Sequence, residues 1–171
     1  MSLFKSTLIA TALVAAGVAG TANAASVGQN FKVKISITGS CTFISASDIN
    51  FAATAATPGT RDATGTIKVQ CTNNLPFSVQ LNSGLNGGGN VNARKMKSTS
   101  GADTIAYQLY SDSFSTVWGT ATSGAGLVSG TGAGFGGTTL DKSFTVSARA
   151  TLVGTEPVAS YEDTITATVT Y

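Results

Sequence analysis

Two runs of alternating residues, one near each end of the chain, limit what it can fold into. The last eleven residues, YEDTITATVTY (161–171), place Ile165, Ala167, Val169 and Tyr171 on one side and threonines on the other. A period of two is the pattern of a half-buried β-strand, and here it continues through Tyr171. FKVKISI (31–37) repeats it, with Phe31, Val33, Ile35 and Ile37 on one face and Lys32, Lys34 and Ser36 on the other. Small sheet proteins ordinarily blunt their edges with loops, prolines or charges, because an unpaired strand invites another chain to join. Strand-forming sequence at both ends therefore fits subunits that exchange terminal strands and so polymerise.

Residues 1–24 read as a secretory signal peptide. Lys5 supplies the positive start, residues 8–19 an apolar stretch too short to span a bilayer, and Ala22-Asn23-Ala24 a small-residue cleavage site. The expected mature chain is residues 25–171, one domain in a periplasmic or extracellular setting. Setting Lys5 aside from the 10 Lys and Arg leaves nine against eight Asp and Glu, a balance that lacks the basic face nucleic acid requires. No long stretch after the signal shows the three-to-four spacing of a helix, and an all-β fold is expected.

Cys41 and Cys71 are the only cysteines. In an oxidising compartment an isolated pair in a small domain most simply forms one disulfide. Closing a loop of about 30 residues should stabilise the fold by roughly 3–4 kcal/mol in the chain-entropy model. A metal pair or reactive thiol has no support, since histidine is absent and no C-x-x-C spacing occurs.

Further strands are expected in TFISASDINF (42–51), GTIKVQC (65–71), FSVQL (77–81), TIAYQLY (104–110) and SFTVSARATL (143–152). Loops are expected at residues 52–63, around Pro58-Gly59, at LNSGLNGGGN (81–90) and across the Gly-rich residues 119–137. About seven strands with turn-rich connections indicate an antiparallel β-sandwich.

Other chemistry finds little footing. Residues 132–137, GAGFGG, match G-x-G-x-x-G formally, but neither a preceding strand of a parallel sheet nor a following helix is expected, so a surface loop is the better reading. Eight scattered carboxylates suggest no glycosidase pair, and a Ser-His nucleophile is excluded without histidine. The chain reads as a non-enzyme with no cofactor. Arg94, Lys95 and Lys97 read as a solvated edge. Trp118, Tyr107 and Tyr110 suit either a sugar-stacking platform or packing within the sheets.

Several segments together resemble the spore coat protein U-type domain, a family that includes the pilin subunits of archaic chaperone–usher pili. They are F-x-V-x-I-x-I-x-G-x-C (31–41), I-x-V-x-C (67–71), L-N-S-G (81–84) followed by Arg94-Lys95-Met96, Y-x-L-Y-x-D (107–112), V-W-G (117–119) and Y-x-D-T-I-x-A-x-V-T-Y (161–171). The specificity lies in their order and spacing.

The resemblance implies an incomplete immunoglobulin-like sandwich with Trp118, Tyr107 and Tyr110 packed inside it, whose final strand is supplied in trans, first by a periplasmic chaperone and then by the next subunit. Residues 25–38 would be the donor segment, presenting Phe31, Val33, Ile35 and Ile37. Ile165, Ala167, Val169 and Tyr171 would line the acceptor groove and contact the chaperone. The partners implied are identical or related pilus subunits, that chaperone and an outer-membrane usher, with no nucleic acid. The product would be a surface pilus or fibre supporting adhesion or biofilm formation. A monomeric carbohydrate-binding adhesin or a spore-coat matrix protein is the alternative.

Overall fold

The structure is a computed structural model that describes residues 24–171 except Ala53 and Ala125; the expected signal peptide, apart from Ala24, lies outside the described residues. The chain divides into two compact units, Met1–Ile35 and Ser36–Tyr171. In the first, residues 24–35 contain no helix or strand.

The second unit is built almost wholly of antiparallel strands. They are β1 (Cys41–Ala46), β2 (Gly59–Cys71), β3 (Pro76–Leu81), β4 (Lys95–Ser98), β5 (Thr104–Tyr110), β6 (Val128–Thr131), β7 (Lys142–Leu152), β8 (Tyr161–Glu162) and β9 (Ala167–Thr170). A short 3-10 helix, Thr138–Leu140, precedes β7. One sheet runs β1-β2-β7-β5-β4-β8 and the other β6-β3-β9.

Period-two patterning explains the layering. Ile67, Val69 and Cys71 on β2, Phe77, Val79 and Leu81 on β3, and Val146, Ala148, Ala150 and Leu152 on β7 all bury their alternate side chains in one core. Each fully buried Val, Leu, Ile or Phe contributes on the order of 1.5–3 kcal/mol. Trp118 is wholly buried and donates its indole N–H to Val79 O at 2.8 Å, which satisfies its one polar atom. Its neighbours join the layers: Trp118 N donates to Leu109 O on β5, and Leu81 N on β3 donates to Gly119 O. The packing role expected of Trp118 and Tyr107 holds, while Tyr110 is half-buried.

Several boundaries differ from the sequence expectation. The loop expected at residues 52–63 ends early, because β2 begins at Gly59 and pairs with β7 from Gly59↔Leu152 onward. Thr60 and Asp62 face solvent there, so the segment shows no apolar alternation to announce it. The strand expected over 42–51 stops at Ala46. Residues 119–137 are not loop throughout, since β6 lies within them and pairs with β3 through Phe77↔Gly130. A Cβ at Gly130 would come within 2.8 Å of the Phe77 ring, so this glycine makes room for the core aromatic. The G-x-G-x-x-G stretch is a loop, as expected, pinned by Gly134 N donating to Cys71 O and by Gln70 donating to Gly136 O and Gly137 O. Residues 31–37 form no strand: Phe31, Val33, Ile35 and Ile37 are 85%, 88%, 90% and 78% exposed. An alternating run becomes a strand only when a ladder partner accepts it.

Cys41 and Cys71 are disulfide-bonded and stand opposite each other at the end of the β1–β2 ladder. Replacing either or both by Ser should lower stability by about 3–4 kcal/mol, with single and double replacements nearly equal, because each removes the same cross-link. Urea denaturation of the three variants checks this, and a single variant as stable as wild type would contradict it.

Candidate functional site

The C-terminal run is one alternating sequence, yet it does not make one strand. β8 pairs with β4 in the larger sheet (Lys97↔Glu162, Ser98↔Tyr161), and β9 pairs with β3 in the smaller one (Leu81↔Ala167, Val79↔Val169). Residues 163–166 cross from one sheet to the other.

A polar cluster holds that crossing. Asp163 Oδ1 accepts from Leu85 N, Asn86 Nδ2 and Thr164 N, and its Oδ2 accepts from the Tyr107 hydroxyl at 2.7 Å. Asn82 Oδ1 accepts from Gly84 N and Thr166 N, which ties the loop after β3 to the crossing. Gly84 has φ +74, and a Cβ on it would overlap Asp163 Oδ2, so backbone and space both require glycine.

Arg94 lies beneath this loop. Expected as a solvated edge charge, it is 1% exposed and donates to Leu81 O, Asn82 O, Trp118 O and Gln108 Oε1. Burial lowers its pKa, but a guanidinium remains protonated, and its charge is matched by carbonyl dipoles and by Asp163 nearby. Lys95 and Lys97 are exposed, as expected.

Burial, and then the bond to Asp163, push the Tyr107 phenol well above the ordinary tyrosine range. The unfolded chain therefore ionises first, near pH 10, and this source of stability is full below that pH and fades as pH rises above it. Tyr107→Phe should cost about 1–2 kcal/mol at neutral pH and reduce the alkaline loss. Denaturation at pH 7 and pH 11 tests both, and an alkaline loss identical to wild type would contradict the assignment.

Beside the crossing the sandwich is open. A cleft of about 520 Å³ has core residues Ile67, Leu81, Leu109, Val146 and Ala148 for its floor. One rim is residues 46–51, the end of β1 and the segment after it; the other is Tyr161, Asp163, Ile165 and Ala167. A second cleft of about 400 Å³ lies over Ile105, Ala150 and Leu152 and shares Ile49, Phe51, Met96 and Tyr161 with the first. Together they form a trough along the core with an apolar floor and a partly polar rim. Among the described residues β9 is a terminal strand of its sheet, so beyond its ladder to β3 its other edge is available for main-chain pairing. Of the expected acceptor residues, Ile165 and Ala167 line the trough, Val169 packs half-buried against the core, and Tyr171 follows β9 and is 59% exposed. Ile49 and Phe51 were not among the expected site residues, and here they pack partly buried against the core at the opposite rim.

The segments that carry the sequence resemblance supply Asn82, Gly84, Arg94, Tyr107 and Asp163, the members of one cluster. The sequence model of the Spore Coat Protein U domain matches residues 27–168. The chain belongs to that family. No curated protein matches it. Among solved structures it is similar to the CsuC–CsuE chaperone–tip adhesion subunit pre-assembly complex from archaic chaperone–usher Csu pili of Acinetobacter baumannii, with 23% identity and a TM-score of 0.55. The match covers 79% of this chain and 40% of that one, so this chain spans less than half of its neighbour's length. At this identity the likeness concerns the fold: this Spore Coat Protein U domain is an immunoglobulin-like antiparallel sandwich, left incomplete along the β9 edge.

Proposed function

We propose that the protein is a structural subunit of a chaperone–usher type pilus or surface fibre, polymerising by donor-strand complementation. The observation that carries this reading is the trough: a core left open beside the unpaired edge of β9, in a family whose domain matches residues 27–168. An extended peptide laid there gains main-chain hydrogen bonds from β9, while every second side chain enters the apolar floor. Residues 31–37 have that form, with four apolar side chains on one face and exposed. Residues 25–38 act as donor segment, and Ile165, Ala167, Val169 and Tyr171 belong to the acceptor side.

On this reading residues 1–24 direct export and are removed, and residues 25–171 are the mature subunit. A periplasmic chaperone occupies the trough first, an outer-membrane usher exchanges it for the next subunit's donor segment, and the fibre at the cell surface supports adhesion or biofilm formation. The subunit performs no catalysis. Immunogold electron microscopy with an antibody to the folded body tests the reading: labelled fibres are expected on expressing cells and none on cells lacking the gene. Label confined to soluble monomer would overturn it.

A further inference from the structure

We propose that the Cys41–Cys71 bond diverts mechanical load around the wall of the acceptor trough. The inference rests on the donor-strand reading above. In a fibre under tension, force enters each folded body through the residues that follow its donor segment.

Those residues carry no slack. Thr72 Oγ1 accepts from Ser40 N at 3.0 Å and donates to Ser40 O, and Thr72 N donates to Ser40 O at 2.9 Å. Gly39 sits so close to Leu75 that a Cβ would come within 2.9 Å of its side chain. Load leaving Ile37 thus reaches Cys41 within four residues.

At Cys41 two routes exist. The backbone leads into β1, a terminal strand held on one side only, through five paired positions to β2. β1 leads directly into residues 46–51, which are one rim of the trough. Pulling the chain from Cys41 along this route peels β1 from its first ladder pair and then draws Ile49 and Phe51 out of the core. The rim that retains the neighbouring subunit's donor strand goes with them. The disulfide offers the other route. It passes the load to Cys71, wholly buried at the end of β2, and β2 is held on both sides, by β1 and by eleven paired positions with β7. Residues 42–58, the rest of β1 and the rim segment that follows it, then lie outside the load path.

Single-fibre force spectroscopy tests this on wild-type fibres and on fibres of Cys41→Ala/Cys71→Val, which keeps the buried site apolar. The variant is expected to show extension steps of at most about 60 Å per subunit, the stretched length of the segment before β2, followed by rupture at lower force than wild type, which shows no such step. If the variant does not assemble, wild-type fibres reduced after assembly, with both thiols shown free by alkylation and mass spectrometry, replace it. Force traces matching wild type, with neither the step nor the lower rupture force, would overturn the bypass and leave the fibre reading intact. Absence of wild-type fibres would overturn both.

Discussion

Val169→Asp should abolish capture of the proposed subunit by a periplasmic chaperone, whereas Val33→Asp should leave capture intact and stop the proposed polymerisation. The two substitutions bring the same unpaired carboxylate to an apolar site, at a cost of several kcal/mol. They differ in whose fold they damage. Val169 is on β9, opposite Val79 and packed against the core, so its replacement harms the acceptor body itself. Val33 is 88% exposed, and the body's core does not depend on it. Its cost should appear only when the proposed donor segment enters the trough of a neighbouring subunit. Pull-down with tagged chaperone and quantification of shed fibres read the two effects separately. Equal loss of chaperone binding in both variants would assign Phe31, Val33, Ile35 and Ile37 to the subunit's own core.

Arg94→Met should be the most damaging single change away from the trough, costing about 3–5 kcal/mol. Methionine fills much of the volume but leaves the carbonyls of Leu81, Asn82 and Trp118 without their shared donor, and Gln108 Oε1 with Leu109 N as its remaining donor. Arg94→Lys should recover only part of this, since an ammonium cannot reproduce the planar fork that reaches several acceptors at once. Thermal midpoints and soluble yield of the two variants give the test. A methionine variant within about 1 kcal/mol of wild type would mean that the cluster does not hold the crossing.

How much was legible beforehand follows from what each segment must do locally. Strands β3, β5 and β7 alternate cleanly because each has one face in the core, and the disulfide followed from two cysteines and an export signal. Arg94 was misread because a charge beside Lys95 and Lys97 looks solvated, although its phase along the strand is that of half-buried Met96 and buried Ser98. The same clue marks Asp163, which occupies the inward phase of Tyr161, Ile165 and Ala167. A carboxylate in an apolar phase calls for hydrogen-bond donors, and these come from Leu85, Asn86 and Tyr107, distant in sequence. The break of the C-terminal run into β8 and β9 was invisible for a related reason: alternation fixes which side chains face inward, not which sheet receives the strand. The rim residues Ile49 and Phe51 lie beyond β1 in a segment without ladder pairing, where period-two reasoning has no hold.

Whether residues 31–37 complete the trough can be asked of a single chain. Moving residues 25–38 from the N-terminus to a position behind Tyr171, on a flexible linker able to reach the trough, tests it most directly. Each of Phe31, Val33, Ile35 and Ile37 would add roughly 1.5–3 kcal/mol on full burial, before the cost of ordering the segment. The rearranged chain should therefore be a soluble monomer that unfolds cooperatively without a chaperone, and Val33→Asp within the moved segment should erase the gain. A moved segment that leaves the thermal midpoint unchanged, or a chain lacking the segment that is equally stable alone, would contradict the account.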